Sequence, residues 1–91
     1  MAIEVRIPTI LRTYTDGAKS VEGAGTSLDE LLTDLDGKYA GLRGRLVGED
    51  GSLHRFVNVY VNDEDVRFLG GLDTDLKDGD SVTVLPAVAG G

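Results

Sequence analysis

Residues 27–39 read SLDELLTDLDGKY, and their pattern decides the fold. Ser27 is followed three residues later by Glu30, which fits a capping box at the start of a helix. The apolar residues beyond it recur at helical spacing, at Leu28, Leu31, Leu32, Leu35 and Tyr39. Because they form one stripe, the sequence predicts an amphipathic helix that packs on a sheet, weakened near its end by Gly37 at a cost of about 1 kcal/mol.

The segment before this helix predicts a hairpin. Alternation at Ile3, Val5 and Ile7 indicates a first strand from about residue 2 to residue 11, in which Pro8 marks a bulge or an unpaired side. Asp16-Gly17 is a turn signal, and residues 19–22 are predicted to return as a short second strand.

The segment after the helix predicts three further strands. Residues 56–62 alternate, so that Val57, Val59 and Val61 share one face. A turn at residues 62–65 leads to a short strand at 66–68, and residues 72–76 are predicted to form a helical turn. Residues 81–85 form the last strand, with Val82 and Val84 facing inward.

Two strand pairs separated by a helix predict a mixed sheet whose first and last strands lie side by side in the middle. We therefore expect an α+β fold, a ubiquitin-like β-grasp with a mixed four- to five-stranded sheet and one main helix on one face. Residues 1–86 form the predicted domain, and residues 87–91 form a flexible C-terminal tail that ends in Gly-Gly.

Composition excludes several classes of function. The 91 residues include no cysteine, so the chain has no disulfide, thiolate metal site, cysteine nucleophile or persulfide. The net charge is −7 and the nine Lys and Arg residues are scattered singly, which disfavours nucleic acid as a partner. No apolar run approaches the ~20 residues of a membrane span. We expect a cytoplasmic protein that is a monomer when free.

The chain ends in LPAVAGG, residues 85–91. A Gly-Gly end carries no Cβ atoms, so it fits a narrow enzyme channel and adopts backbone angles closed to other residues. A frayed terminus is the alternative interpretation, because chain ends are often poorly ordered.

Three stretches together resemble the ThiS and MoaD group of sulfur carriers. They are IPTIL at residues 7–11, LHRFVNVYVNDEDVRF at 53–68 and LPAVAGG at 85–91. The NDED stretch at 62–65 is most similar to the CysO branch, whose carriers serve cysteine biosynthesis. Molybdopterin carriers tend to have aromatic residues just before the terminal segment, where Val84 and Leu85 stand here.

The resemblance implies a chemistry for Gly91. Its carboxylate is adenylated with ATP on a MoeB/ThiF-like enzyme of the ubiquitin-activating type, and sulfur then displaces AMP to leave a thiocarboxylate. A CysM-like cysteine synthase with pyridoxal phosphate accepts the sulfur, and a JAMM-type zinc peptidase releases cysteine. These cofactors belong to the partners. The chain itself is expected to bind no cofactor or metal and to have no active site, while Val88, Ala89 and Gly90 thread the partners' active sites.

The predicted partner-docking surface is the sheet face opposite the helix. If the valines of residues 57–61 are in the core, Phe56 and Tyr60 point outward, and Leu85 does so beside them. The alternatives are that the faces are inverted or that a loop shields this strand.

Other motifs are interpreted as structural. His54 has no nearby nucleophile and is expected to be solvated or structural. The acidic residues Asp73, Asp75, Asp78 and Asp80 lack calcium-loop spacing and are expected to cap helices and turns. Gly23 and Gly25 are interpreted as a turn.

Two other functions remain open. A ThiS/MoaD-type carrier that feeds thiazole or molybdopterin synthesis would use the same chemistry at Gly91. A ubiquitin-like modifier or interaction module would instead join Gly91 to lysines of other proteins.

Overall fold

A computed structural model describes residues 2–54 and 57–86. Within these residues, five strands form one sheet in the order β2-β1-β5-β3-β4. The strands are β1 (Ile3–Arg6), β2 (Ser20–Gly23), β3 (Val57–Val61), β4 (Glu64–Asp65) and β5 (Ser81–Pro86). The helices are α1 (Leu28–Lys38) and α2 (Leu42–Leu46), with 3₁₀ helices at Thr9–Thr15, Val66–Phe68 and Gly71–Asp73. The predicted β-grasp is confirmed.

The first and last strands lie side by side at the centre of the sheet, as predicted. They run parallel, with Val5 and Val82 as Cα partners. β2 pairs antiparallel with β1, and β3 pairs antiparallel with β5. The sheet therefore joins the N-terminal hairpin to the β3–β4 hairpin only through β5.

Helix α1 begins as the sequence predicts. The Ser27 hydroxyl accepts a hydrogen bond from the Glu30 amide at 3.2 Å, and the Glu30 carboxylate accepts one from the Thr26 amide at 2.8 Å. The helix continues through Gly37 to Lys38, and Tyr39 is its C-cap. Its leucine stripe is buried against one face of the sheet, at Leu28, Leu31, Leu32 and Leu35.

The valines of the central strands complete this core. Val57, Val59 and Val61 are buried, as are Val82 and Val84. Side chains on the other face of the same strands are exposed or half-buried. The predicted faces are therefore confirmed for the described part of β3 and for β5.

The predicted extent of the first strand was wrong. β1 ends at Arg6, and the chain enters the 3₁₀ helix at Thr9 because Pro8 has no amide hydrogen to continue a ladder. The Pro8 carbonyl instead accepts a hydrogen bond from the Leu11 amide at 3.0 Å, and Leu11 is buried.

The short return strand was also misplaced. Asn62 and Asp63 both have positive φ, 51° and 73°, which makes a two-residue hairpin turn and starts the return at Glu64. The Asp65 side chain then accepts a hydrogen bond from the Arg67 amide, which begins a 3₁₀ helix where a strand was predicted. The helical turn predicted at 72–76 is a shorter 3₁₀ helix that begins one residue earlier and ends at Asp73 (Gly71–Asp73).

Gly23 and Gly25 allow the sheet and α1 to approach closely. A Cβ on Gly25 would lie 2.6 Å from the Leu31 backbone nitrogen, and one on Gly23 would lie 2.6 Å from Leu31 Cδ1. Their role is therefore one of packing space and not only of turning the chain.

Candidate docking site beside the C-terminal tail

Strand β5 leads directly to the C-terminal tail. Val82 and Val84 point into the core, so Thr83 and Leu85 point to the open face of the sheet, where Leu85 is 45% exposed. The strand ends at Pro86. The residues predicted to carry the chemistry and to thread partner enzymes, Val88, Ala89, Gly90 and Gly91, lie outside the described residues. The division into a domain and a flexible tail therefore stays a prediction.

Two of the three predicted docking residues lie on this open face. Tyr60 is half-buried and is the Cα partner of Thr83, next to Leu85 on β5. Asn58 is the partner of Leu85. Phe56 lies outside the described residues. The structure therefore places Tyr60 and Leu85 on one surface, and their role in docking stays a prediction.

The open face continues from Leu85 into a groove of about 680 Å³. Its floor is formed by β1, the start of β2 and the end of β5, and one wall is the segment from Pro8 to Arg12. Ile10 on that wall is 63% exposed. We call this concavity the tail-root groove, since Leu85 and Pro86 line it.

Three cationic side chains line the tail-root groove, Arg6, Arg12 and Lys19, against one carboxylate, Glu4. Arg12 Nε donates to the Ile7 carbonyl at 3.2 Å, which holds this side chain along the loop. Within residues 2–54 and 57–86, none of the three cations has a carboxylate within 4 Å. Sequence reasoning missed this cluster because the segment Pro8–Arg12 was predicted to continue the first strand, whereas it enters a 3₁₀ helix that places Arg12 on the same groove as Arg6 and Lys19.

The helical side has the opposite character. There Lys38 pairs with Asp34 at 3.3 Å, and Arg43 pairs with Asp29.

The carboxyl groups of Glu30, Asp34, Asp50 and Asp80 have lowered pKa values. For the first three the largest cause is a hydrogen bond from a backbone amide, and for Asp80 it is one from the Asn62 side chain. None of them lines the groove. The lowered pKa values follow from these local hydrogen bonds.

The motifs interpreted as structural have structural partners. His54 Nε2 lies 3.3 Å from the Gly44 carbonyl oxygen. Asp78 accepts a hydrogen bond from the Ala2 amide, and Asp80 accepts one from the Lys77 amide. No group of three or more histidine or acidic residues in the described part of the chain is arranged to hold a metal ion. Nor is any described helix long and apolar enough to span a bilayer.

This geometry defines a class: small ubiquitin-like β-grasp proteins in which the central last strand leads into the C-terminal residues. The chain belongs to the ThiS family, whose model matches residues 5–91. It is 58% identical to the sulfur carrier protein CysO of Mycobacterium tuberculosis over 93 residues, which covers all of both chains. It is also 46% identical to small archaeal modifier protein 3 of Haloferax volcanii over 94 residues, again covering both chains fully.

The structural comparison agrees with the sequence comparison. The fold matches the CysO protein in the crystal structure of the Amycolatopsis orientalis BexX/CysO complex with a TM-score of 0.92 and 60% identity, covering 99% of this chain and 100% of that one. Homology to CysO supports a sulfur-carrier role, and the small size of such carriers is consistent with a protein that is not an enzyme.

Proposed function

We propose that this protein is a sulfur carrier for cysteine biosynthesis, with Gly91 as the point of attachment. The observation that carries the proposal is the full-length match to CysO, since the 58% identity extends over both chains completely. The family match also runs to residue 91 and so includes the Gly-Gly sequence.

Loading takes two steps at the Gly91 carboxylate. Attack of a carboxylate oxygen on the α-phosphorus of ATP gives an acyl-adenylate and releases pyrophosphate. Sulfide, or a persulfide followed by reduction with a thiol, then displaces AMP to give the thiocarboxylate. Adenylation is required because a free carboxylate is a poor electrophile and hydroxide is a poor leaving group. The enzyme of the ubiquitin-activating type, MoeB/ThiF-like, supplies the nucleotide site.

Delivery uses the same end of the chain. The thiocarboxylate sulfur is a tethered nucleophile, which raises its effective concentration at the acceptor and prevents loss of free sulfide. The proposed acceptor is a CysM-like synthase that uses pyridoxal phosphate, and a JAMM-type zinc peptidase then releases cysteine. The carrier contributes the Gly-Gly backbone that fits both active sites, with Val88 and Ala89 leading into it. The proposed compartment is the cytoplasm.

Docking is proposed to use the open face of the sheet. Leu85 is exposed and Tyr60 is half-buried on this face, and they lie on the paired strands β5 and β3, the first of which leads to the tail in sequence. Phe56 is the third proposed docking residue. The crystallised complex of a CysO protein with BexX supports docking of this fold on a second protein.

A modifier function is the second candidate. It is favoured by the 46% identity to small archaeal modifier protein 3, which also covers both chains fully. In that case a lysine amine of another protein displaces AMP from the same adenylate, and an isopeptide bond forms at Gly91.

Intact-mass measurement tests the proposal. The protein is incubated with ATP, sulfide and the adenylating enzyme of its host, beside a variant that lacks Gly91. We expect a gain equal to replacement of one oxygen by sulfur in the full-length chain and none in the variant. A cysteine synthase that then forms cysteine only from the loaded chain would establish the acceptor. Absence of the sulfur gain, together with conjugates to other proteins in cells, would favour the modifier function instead.

A further inference from the structure

The tail-root groove combines three cations with two exposed apolar side chains. It places Arg6, Arg12 and Lys19 beside the exposed apolar side chains of Ile10 and Leu85. The protein as a whole carries a net charge of −7. Cations without nearby carboxylates are therefore concentrated at one place on an acidic molecule.

The length of the tail brings a partner close to this groove. Five fully extended residues reach at most about 17 Å. A partner that takes the Gly91 carboxylate into an enclosed site must therefore bring its body to within that distance of Pro86, which itself lines the groove. The enzyme surface around its entry channel is thus near enough to contact the groove.

We propose that the tail-root groove docks an acidic segment, containing at least one apolar side chain, at the channel entrance of the enzyme that activates the C-terminus. Carboxylates of that segment pair with Arg6, Arg12 and Lys19, and its apolar side chain packs between Ile10 and Leu85. Charge complementarity of this kind speeds productive encounter and excludes partners of the wrong sign. The inference rests on the proposed function for the identity of the enzyme.

The test reverses charge at two exposed cations whose side chains make no hydrogen bond within the described residues. The groove variant is Arg6→Glu with Lys19→Glu, and Arg12 is kept because it bonds the Ile7 carbonyl. The matched control is Arg45→Glu with Lys77→Glu, which changes the net charge equally at two exposed cations outside the groove whose side chains also make no hydrogen bond within the described residues. Urea unfolding of both variants verifies that they fold.

We expect kcat/KM for loading to fall roughly tenfold or more in the groove variant and to stay within about twofold of wild type in the control. Added salt should lower kcat/KM for wild type and control but have little effect on the groove variant. Calorimetry without ATP should show that wild type and the control bind the enzyme more tightly than the groove variant does.

Three outcomes would overturn the inference. Equal kcat/KM in the groove variant and its control would show that the groove is not used. A higher kcat/KM in the groove variant would indicate that the chain's own carboxylate occupies it, and a wild-type dimer that the variant abolishes would indicate a second copy. If wild type gains no sulfur at all, the proposed function fails, and the calorimetric comparison still decides whether the groove binds the enzyme.

Discussion

Val57 and Pro86 are Cα partners at the last rung of the β3–β5 pair, and Arg67 Nη2 donates to the Val57 carbonyl at 3.0 Å. At the other end of this strand pair, the backbone amide of Asn62 donates a hydrogen bond to the Ser81 carbonyl. Since hydrogen-bonded and non-hydrogen-bonded pairs alternate, Val57 belongs to a non-hydrogen-bonded pair and its carbonyl points away from β5. Pro86 therefore costs the ladder no hydrogen bond, and Arg67 satisfies a carbonyl that β4 is too short to reach.

Replacing Arg67 should destabilise the Val57–Pro86 pair at the end of β5. We expect Arg67→Ala to lower the free energy of unfolding by about 1 kcal/mol, since it removes one hydrogen bond to a partly exposed carbonyl. Hydrogen exchange at the Leu85 amide should accelerate severalfold. Lys77→Ala is the control, because the Lys77 side chain makes no hydrogen bond within the described residues. Unchanged exchange at Leu85 would show that Arg67 does not hold this end of the sheet.

Two glycines of the helical region should respond in opposite directions to alanine. Gly25→Ala should lower the free energy of unfolding by about 1–3 kcal/mol, because its Cβ would lie 2.6 Å from the Leu31 backbone nitrogen. Gly37→Ala should raise it by about 0.5–1 kcal/mol, since this position is helical and has nothing within 4 Å of an added Cβ. Urea unfolding measures both, and equal effects would contradict the close approach at Gly25.

Acid should remove the stabilisation contributed by Asp80. Hydrogen bonds from the Asn62 side chain and the Lys77 amide lower the pKa of its carboxyl group. A lowered folded-state pKa gives stability that is present above the unfolded-state pKa, about 3.9, and lost as pH falls through the folded-state value. The free energy of unfolding of wild type should therefore fall relative to that of Asp80→Asn as the pH is lowered from about 5 to about 2.

The control for this titration is Asp16→Asn, at an exposed turn residue whose side chain makes no hydrogen bond within the described part of the chain. Its difference from wild type serves as the baseline for the comparison. An Asp80→Asn difference that stays constant with pH would rule out the linkage.

Leu85 should contribute to loading without contributing much to stability. We expect Leu85→Ser to lower kcat/KM for loading severalfold while changing the free energy of unfolding by no more than about 0.5 kcal/mol, because the side chain is half exposed. Phe68→Ser is the matched control, since Phe68 is 86% exposed and does not line the groove. A larger loss of kcat/KM from Phe68→Ser would indicate that the docking surface lies near Phe68, after β4, and not beside Leu85.

Much of the fold follows from local pattern. The Ser27 and Glu30 cap and the leucine stripe predict α1, and alternation at Val57–Val61 and at Val82 and Val84 predicts which faces are buried. The errors fall where one residue overrides a pattern. Pro8 ends β1 early, and the positive φ values at Asn62 and Asp63 move the return strand forward.

The candidate site was predictable only in part. Alternation places Tyr60 and Leu85 outward, because strand periodicity fixes the face of each side chain. The cation cluster at Arg6, Arg12 and Lys19 depends on how a 3₁₀ segment folds over two strands, and no spacing in the sequence encodes that. The close approach at Gly25 likewise depends on tertiary packing.

The position of β5 makes folding and tail presentation inseparable. Glu4 pairs with Ser81, so the centre of the sheet closes a loop of 77 residues, and contacts of such long range form slowly. During synthesis the hairpin β1–β2 and the hairpin β3–β4 have no common neighbour until the last strand leaves the ribosome. A chain truncated before β5 would expose two unpaired strand edges, which favour aggregation. A chain that fails to fold would therefore also fail to present its C-terminus from an intact docking surface.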